Sequence, residues 1–275
     1  MMPLVTLPDY DYYDLVNTDH ELAQGLVIWW RVMPGWYGGT IWRDLMKRNN
    51  ATLTGITLPY SSTSGMALGS TRPGGDGEVR FDGTDDYGTI DGFLATTSLP
   101  VSVSLVLYIR SGSTGIRQAL ANTGGTNTRF YLGLQSAGSS ALGFRCGNVT
   151  ISTAISDLTW YHLCGVWDGN GGMECYLNGL SIGTNSSTGV TTFNNIMKIG
   201  AYGNGASSYW EGGIDNIIIH QEQLSSAKVA ALYQSSRLGH HGLLRCRVYR
   251  YFSIPSGVVP TVKKIIGGGL LPMVA

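Results

Sequence analysis

Three short phrases stand in a fixed order along this chain and leave it few folds to choose from. The first is Phe81-Asp82-Gly83-Thr84-Asp85-Asp86-Tyr87. The second runs from Trp160-Tyr161-His162 through Val166-Trp167-Asp168-Gly169 to Tyr176-Leu177-Asn178-Gly179. The third is Gly213-Ile214-Asp215-Asn216, just ahead of a helix-forming stretch. Each is a strand-like run ending in a turn whose Gly or Asn accepts positive φ. A chain made of such units is an antiparallel sheet protein stitched together by hairpins. Its 39 glycines and 13% charged residues suit many short strands and tight connections.

Between the phrases the pattern continues. Val101, Val103, Leu105, Leu107 and Ile109 alternate with Ser102, Ser104, Val106 and Tyr108, which predicts a strand with one buried face. Ile217-Ile218-Ile219 is apolar throughout, as in a strand covered on both faces. One helix is predicted after Ser225 or Ser226, with Val229, Ala230, Leu232 and Tyr233 as its apolar stripe, ending by Gly239. No window approaches 18 uninterrupted apolar residues, so no membrane-spanning helix is expected.

In this order the phrases resemble the laminin-G-like, concanavalin-A-like lectin/glucanase jelly-roll family. The resemblance extends from Gly25 to Arg237. Trp29-Trp30 looks like the opening strand of these modules, and Leu224 to Tyr233 like their closing helix. Asp44-Leu45 followed by Arg48-Asn49-Asn50 is similar to a family segment in which Arg48 takes the place of the usual glycine. The resemblance implies an all-β fold, a two-sheet antiparallel jelly-roll sandwich with one short helix near its end. The domain limits are then 1–24 for an extended arm, 25–238 for the sandwich and 239–275 for a basic, apolar extension. Both flanks lie outside the family.

Relatives of this fold bind glycans, proteins or lipids, many hold calcium, and others are glycoside hydrolases or polysaccharide lyases. For calcium, the resemblance points to Asp82 and Asp215, with carbonyls from the Gly83 turn. Asp82 and Asp85 suit Asx-type turn bonds as well. For glycans, the predicted loops offer Trp36, Tyr37, Trp42, Tyr202 and Trp210 as platforms, with Asn122, Asn127 and Asn204 nearby, whereas Trp29, Trp160 and Trp167 suit packing. Hydrolysis needs paired carboxylates. Glu21, Glu78, Glu174, Glu211 and Glu222 are isolated from one another, and His162 sits in a strand phrase where packing explains it. No catalytic residue is assigned, and the chain is read as no enzyme.

Cys164 and Cys175 fall on the two arms of a predicted hairpin, where a bridge or two buried thiols are both open readings. Charge is more telling. The net charge is zero, yet seven cations and no anion follow Glu222, which leaves residues 1–222 with 11 cations against 18 anions. An acidic body with a basic tail reads as a chain that docks onto something acidic. The docking residues are Arg245, Arg247, Arg250, Tyr251, Lys263 and Lys264. Their expected partners are other copies of the chain or an acidic protein shell, with cell-surface polysaccharide as a further ligand. The apolar residues interleaved among them argue against nucleic acid. Residues 1–25 show no basic n-region and no apolar h-region, so a virion or an extracellular surface reached without a standard signal is the expected location. The function expected is a non-enzymatic structural or attachment protein of a larger assembly, such as a phage or virus particle. A free-standing lectin-like adhesion module is the alternative.

Overall fold

Period-two alternation brings two sheets face to face. The computed structural model describes residues 16–32, 39–56, 64–68, 77–91, 99–110, 115–122, 130–136, 139–189, 196–202 and 207–237. The first strands are β1 (Leu26–Trp30), β2 (Ile41–Trp42), β3 (Ala51–Thr54), β4 (Gly65–Leu68), β5 (Gly77–Asp82) and β6 (Tyr87–Asp91). Next come β7 (Val101–Tyr108), β8 (Arg117–Asn122), β9 (Phe130–Ser136), β10 (Ser139–Cys146) and β11 (Val149–Ala154). Then follow β12 (Trp160–Trp167), β13 (Met173–Leu177), β14 (Leu180–Asn185), β15 (Ile196–Ile199), β16 (Glu211–His220) and helix α1 (Ser226–Arg237).

One sheet runs β14-β13-β12-β7-β16-β5-β4, with β1 also paired to β16. The other runs β11-β10-β9-β8-β15-β6-β3-β2. The core between them holds Trp30, Trp42, Phe81, Leu105, Phe130, Phe144, Leu163, Trp167 and Trp210. The β13–β14 hairpin closes through Asn178 at φ 51° and Gly179 at φ 80°, the two positive values of a type I′ turn.

A second apolar layer covers the outer face of the first sheet. Trp29, Cys164, Val166, Tyr176 and Ile218 pack there against Val229 and Leu232 of α1 and against Val16 and Leu22. Ser225 starts the helix, its Oγ accepting from the Lys228 amide at 3.3 Å. This layer changes two expectations. Part of the segment read as an extended arm is packed, with a 3-10 turn at Glu21–Ala23 and Leu22 buried. The serine face of β7 is also buried. Ser102 Oγ donates to the Glu222 carbonyl at 2.7 Å and accepts from the Leu224 amide at 3.0 Å. Ser104 Oγ meets His162 Nε2 at 2.7 Å. These polar residues sit inside because their hydroxyls are satisfied there.

The hairpin thiols cannot bridge. Cys164 lies opposite Tyr176, and Cys175 opposite Gly165, one step out of phase. Cys164 therefore belongs to the outer layer and Cys175 to the inter-sheet core. Both are free, and burial pushes the Cys175 thiol up to about 12.

His220 ties the N-terminal segment to the sheet. Its Nε2 donates to the Leu22 carbonyl at 2.8 Å, which leaves Nδ1 unprotonated and buried. Burial lowers its pKa below the ordinary 6.5. The unfolded chain therefore takes up a proton that the folded chain refuses. This stability is present above pH 6.5 and is lost as the pH falls from there toward the lowered folded value. The expected slope is up to about 1.4 kcal/mol per pH unit within that window. Urea titrations between pH 7 and pH 5 should show the fall in the parent chain, and a His220→Gln variant should flatten it.

Candidate functional site

Several strand ends meet at one rim of the sandwich: the close of β5 and β7 and the start of β8, β12 and β16. Trp160 lies opposite Tyr108 in the β12–β7 register. Their rings are 5.4 Å apart and tilted by 44°, and both are half-buried. Next along the row comes Gly213, which lies opposite Arg80. A Cβ on Gly213 would stand 2.5 Å from Glu78 Oε2 and 2.9 Å from the Trp160 ring. The carboxylate and the indole converge over bare backbone because that side chain is missing. Glu78 is buried and paired with Arg80.

Charge continues around the rim. Glu211 accepts from Arg117 Nη2 at 3.0 Å and lies 4.0 Å from Arg110 Nη1. Arg117 Nη1 also donates to the Tyr209 carbonyl at 3.0 Å. Gly83, at φ 83°, brings the β5–β6 turn against this pair, since a Cβ there would lie 2.7 Å from Arg117 Nη1.

That turn carries the one group of carboxylates among the described residues with metal-like spacing. Ligand oxygens of Asp82, Asp85 and Asp86 all lie within 4.8 Å of one another. Asp82 Oδ1 accepts from the Thr84 amide at 2.8 Å, and Asp86 Oδ2 from the Asp82 amide at 3.0 Å. Burial raises the Asp86 carboxyl, while hydrogen bonds from Ser64 and the Asp82 amide oppose the rise. Three hard oxygen donors on one turn fit a divalent cation of the calcium type.

Asp215 does not join them, which corrects the expected pair. Glu211 is the residue opposite Asp82, and Asp215 sits four places further along β16, roughly 13 Å away at strand rise. Its carboxylate is fully buried, accepting from the Val32 amide at 3.3 Å and from Asn216 Nδ2 at 2.9 Å.

Two of the five expected glycan platforms are corrected too. Trp42 and Trp210 are 1% and 0% exposed and belong to the inter-sheet core. Trp42 follows exposed Ile41 on a two-residue strand, so the phase of one alternation sends it inward. Tyr202 is half-buried in the turn after β15, its amide donating to the Ser207 carbonyl at 3.0 Å. Asn122 is buried on β8. Trp36, Tyr37, Asn127, Asn204 and all six docking residues from Arg245 to Lys264 lie outside the described residues. Among the described residues, Tyr108 and Trp160, half-buried like Tyr202, are the aromatics that pair at this rim. Their signal in the sequence is that Tyr108 shares the serine phase of β7, away from the inter-sheet core.

Two antiparallel sheets in a jelly-roll-like sandwich, closed by one helix, define a lectin-type β-sandwich. The profile of the Concanavalin A-like lectin/glucanases superfamily (Laminin_G_3) matches residues 82–230, and the chain belongs to that superfamily. Among solved structures it is similar to a Trypanosoma rangeli sialidase in complex with 2,3-difluorosialic acid. The TM-score is 0.59 at 14% identity, over 79% of this chain and 34% of that one. It is also similar to the binding domain of Paraclostridial Mosquitocidal Protein 1, with TM-score 0.57 at 16% identity, over 78% of this chain and 53% of that one. The botulinum neurotoxin serotype D binding domain follows at 0.53 and 12%, over 76% and 51%. At such identities the likeness is one of fold alone. The chain spans about a third of the sialidase and about half of each binding-domain chain. No curated protein sequence matches it. Among the described residues no helix is long and apolar enough to cross a membrane.

Proposed function

We propose that this chain is a non-enzymatic attachment protein, with the sandwich as building block and the terminal extensions as fasteners into a larger assembly such as a phage or virus particle. The observation that carries the reading is the charge split, an acidic body through Glu222 followed by seven cations and no anion. Opposite charge on two parts of one chain favours contact between copies or with an acidic shell, and it does so in a salt-dependent way. Two rim glutamates support the non-enzymatic part. Glu78 and Glu211 are each engaged by arginine rather than facing one another across an open cleft. An Arg245→Glu/Arg247→Glu/Arg250→Glu variant is expected to lose self-association in light scattering. High salt should do the same to the parent chain, and association indifferent to both would count against the fastener role.

Glycan contact at the rim is the nested reading, and the Tyr108–Trp160 pair favours it: a half-exposed ring pair beside charged side chains is what a sugar face and its hydroxyls require. Asp82, Asp85 and Asp86 are the set proposed to hold calcium beside it. On a glycan array, Trp160→Ala is expected to weaken binding at least about tenfold, the loss of roughly one stacking contact. Asp85→Asn should remove any calcium dependence. An array that stays blank with and without calcium would end this reading and leave the attachment role standing.

A further inference from the structure

A cleft of about 490 Å³ opens at the free edge of the first sheet, lined by Asp168, Glu174, Thr184, Asn185 and Gln223 over Val166. Its two carboxylates are held in place before any ligand arrives. Asp168 Oδ1 accepts from the amides of Asn170 at 2.7 Å and Gly172 at 2.8 Å. Gly172 has to be bare, because a Cβ there would lie 2.4 Å from Asp168 Oδ2. Glu174 Oε1 accepts from Ser181 Oγ at 2.7 Å, and the Tyr176 hydroxyl bonds to the same carboxylate. Burial and that bond both raise the phenol, so it stays a donor.

Glu78, Glu211 and Glu222 are paired with Arg80, with Arg117 and Arg110, and with Lys228. Among the described residues no Lys, Arg or His pairs with Asp168 or Glu174. Glu174 lies opposite Val166 on β12, and Asp168 is two residues beyond Val166, which sets the two acids about 8 Å apart by strand geometry. The tail reads Leu243-Leu244-Arg245-Cys246-Arg247, a strand-like alternation. In an extended segment Arg245 and Arg247 share one face at a spacing of roughly 7 Å. A pair of guanidiniums at that spacing suits two carboxylates about 8 Å apart, one to each, in the forked geometry that arginine provides.

We propose that this cleft is the receptor for the fastener: Arg245 and Arg247 from the tail of a neighbouring copy dock onto Asp168 and Glu174. The proposal rests on the attachment reading and names its binding site. The test is limited trypsin digestion of the full-length chain, following cleavage after Arg250, just beyond the docked pair. In the parent protein the bond is protected, and the protection fades on dilution. Asp168→Asn/Glu174→Gln is expected to be cut at least about tenfold faster, the equivalent of one charge-assisted hydrogen bond. Reversing the charges on both sides, with Asp168→Arg/Glu174→Arg joined to Arg245→Glu/Arg247→Glu, should restore protection and shows that the cleft variants fold. Equal cleavage in parent and cleft variants, or protection that does not depend on concentration, overturns the proposal. If tail charge reversal abolishes association while the cleft variants still associate, the attachment role survives and this receptor does not.

Discussion

Asp44→Ala is expected to cost on the order of 4 kcal/mol or more and to leave little folded protein at 37 °C. The carboxylate is fully buried and holds four backbone amides. Oδ1 accepts from Trp29 and Met46, both at 2.9 Å. Oδ2 accepts from Arg48 and Asn49, both at 3.0 Å. The buried Trp29 donor left unpaired costs about 1–3 kcal/mol, and the loss of three part-buried bonds to a charged acceptor adds to it. Water entering the cut site relieves some of this, so the sum is not reached. The loss is cooperative because Asp44 joins β1 to the turn that follows β2, and the Leu45 amide donates to the Trp29 carbonyl at 2.9 Å in the same junction. The turn needs no glycine at Arg48, since Lys47 takes the positive φ of 62°. Denaturant midpoints of parent and variant read the effect directly. Asp44→Asn should fall between them, keeping an acceptor while turning part of the group into a donor.

Trp210→Ala is the second large effect, about 3–5 kcal/mol. Its indole is fully buried between the sheets, with its amide donating to the Gly200 carbonyl at 2.8 Å. Gly200 lies at φ 76°, where a Cβ would fall 2.5 Å from the Phe81 ring, so this corner accepts no simple repacking. Trp210→Phe should lose far less, because the indole Nε1 is buried without a hydrogen-bond partner and removing it costs nothing in bonding. Melting temperatures should fall by about 10 °C for alanine and by a few degrees for phenylalanine. The contrast separates a core residue from a displayed platform, whose removal would spare stability and change ligand binding alone.

Those two residues also show where the sequence can be read and where it cannot. The strands announce themselves wherever a run is long enough to show its period, as in β7, β12 and β16, and Asn178-Gly179 announces its hairpin turn. The phase of a two-residue strand is not visible, so Trp42 reads as displayed while it points inward. The direction of a strand also decides which distant acids meet. Asp82 and Asp215 sit in two similar phrases, but antiparallel pairing carries them apart and leaves Asp82 with its own turn mates. Buried serines on β7 belong to a third kind of case. Nothing near Ser102 reveals that the Glu222 carbonyl and the Leu224 amide will meet its hydroxyl. The cleft at Asp168 and Glu174 exists only once β12, β13 and β14 are side by side.

In the attachment role we propose, an acidic sandwich is fixed into a larger object by its cationic end. Its most direct test is the mass in solution, by analytical ultracentrifugation at low salt, of the full chain and of the chain lacking residues 240–275. Oligomers are expected for the full chain and monomers for the shortened one, with the same sandwich spectrum in both. A monomer in both cases would contradict it.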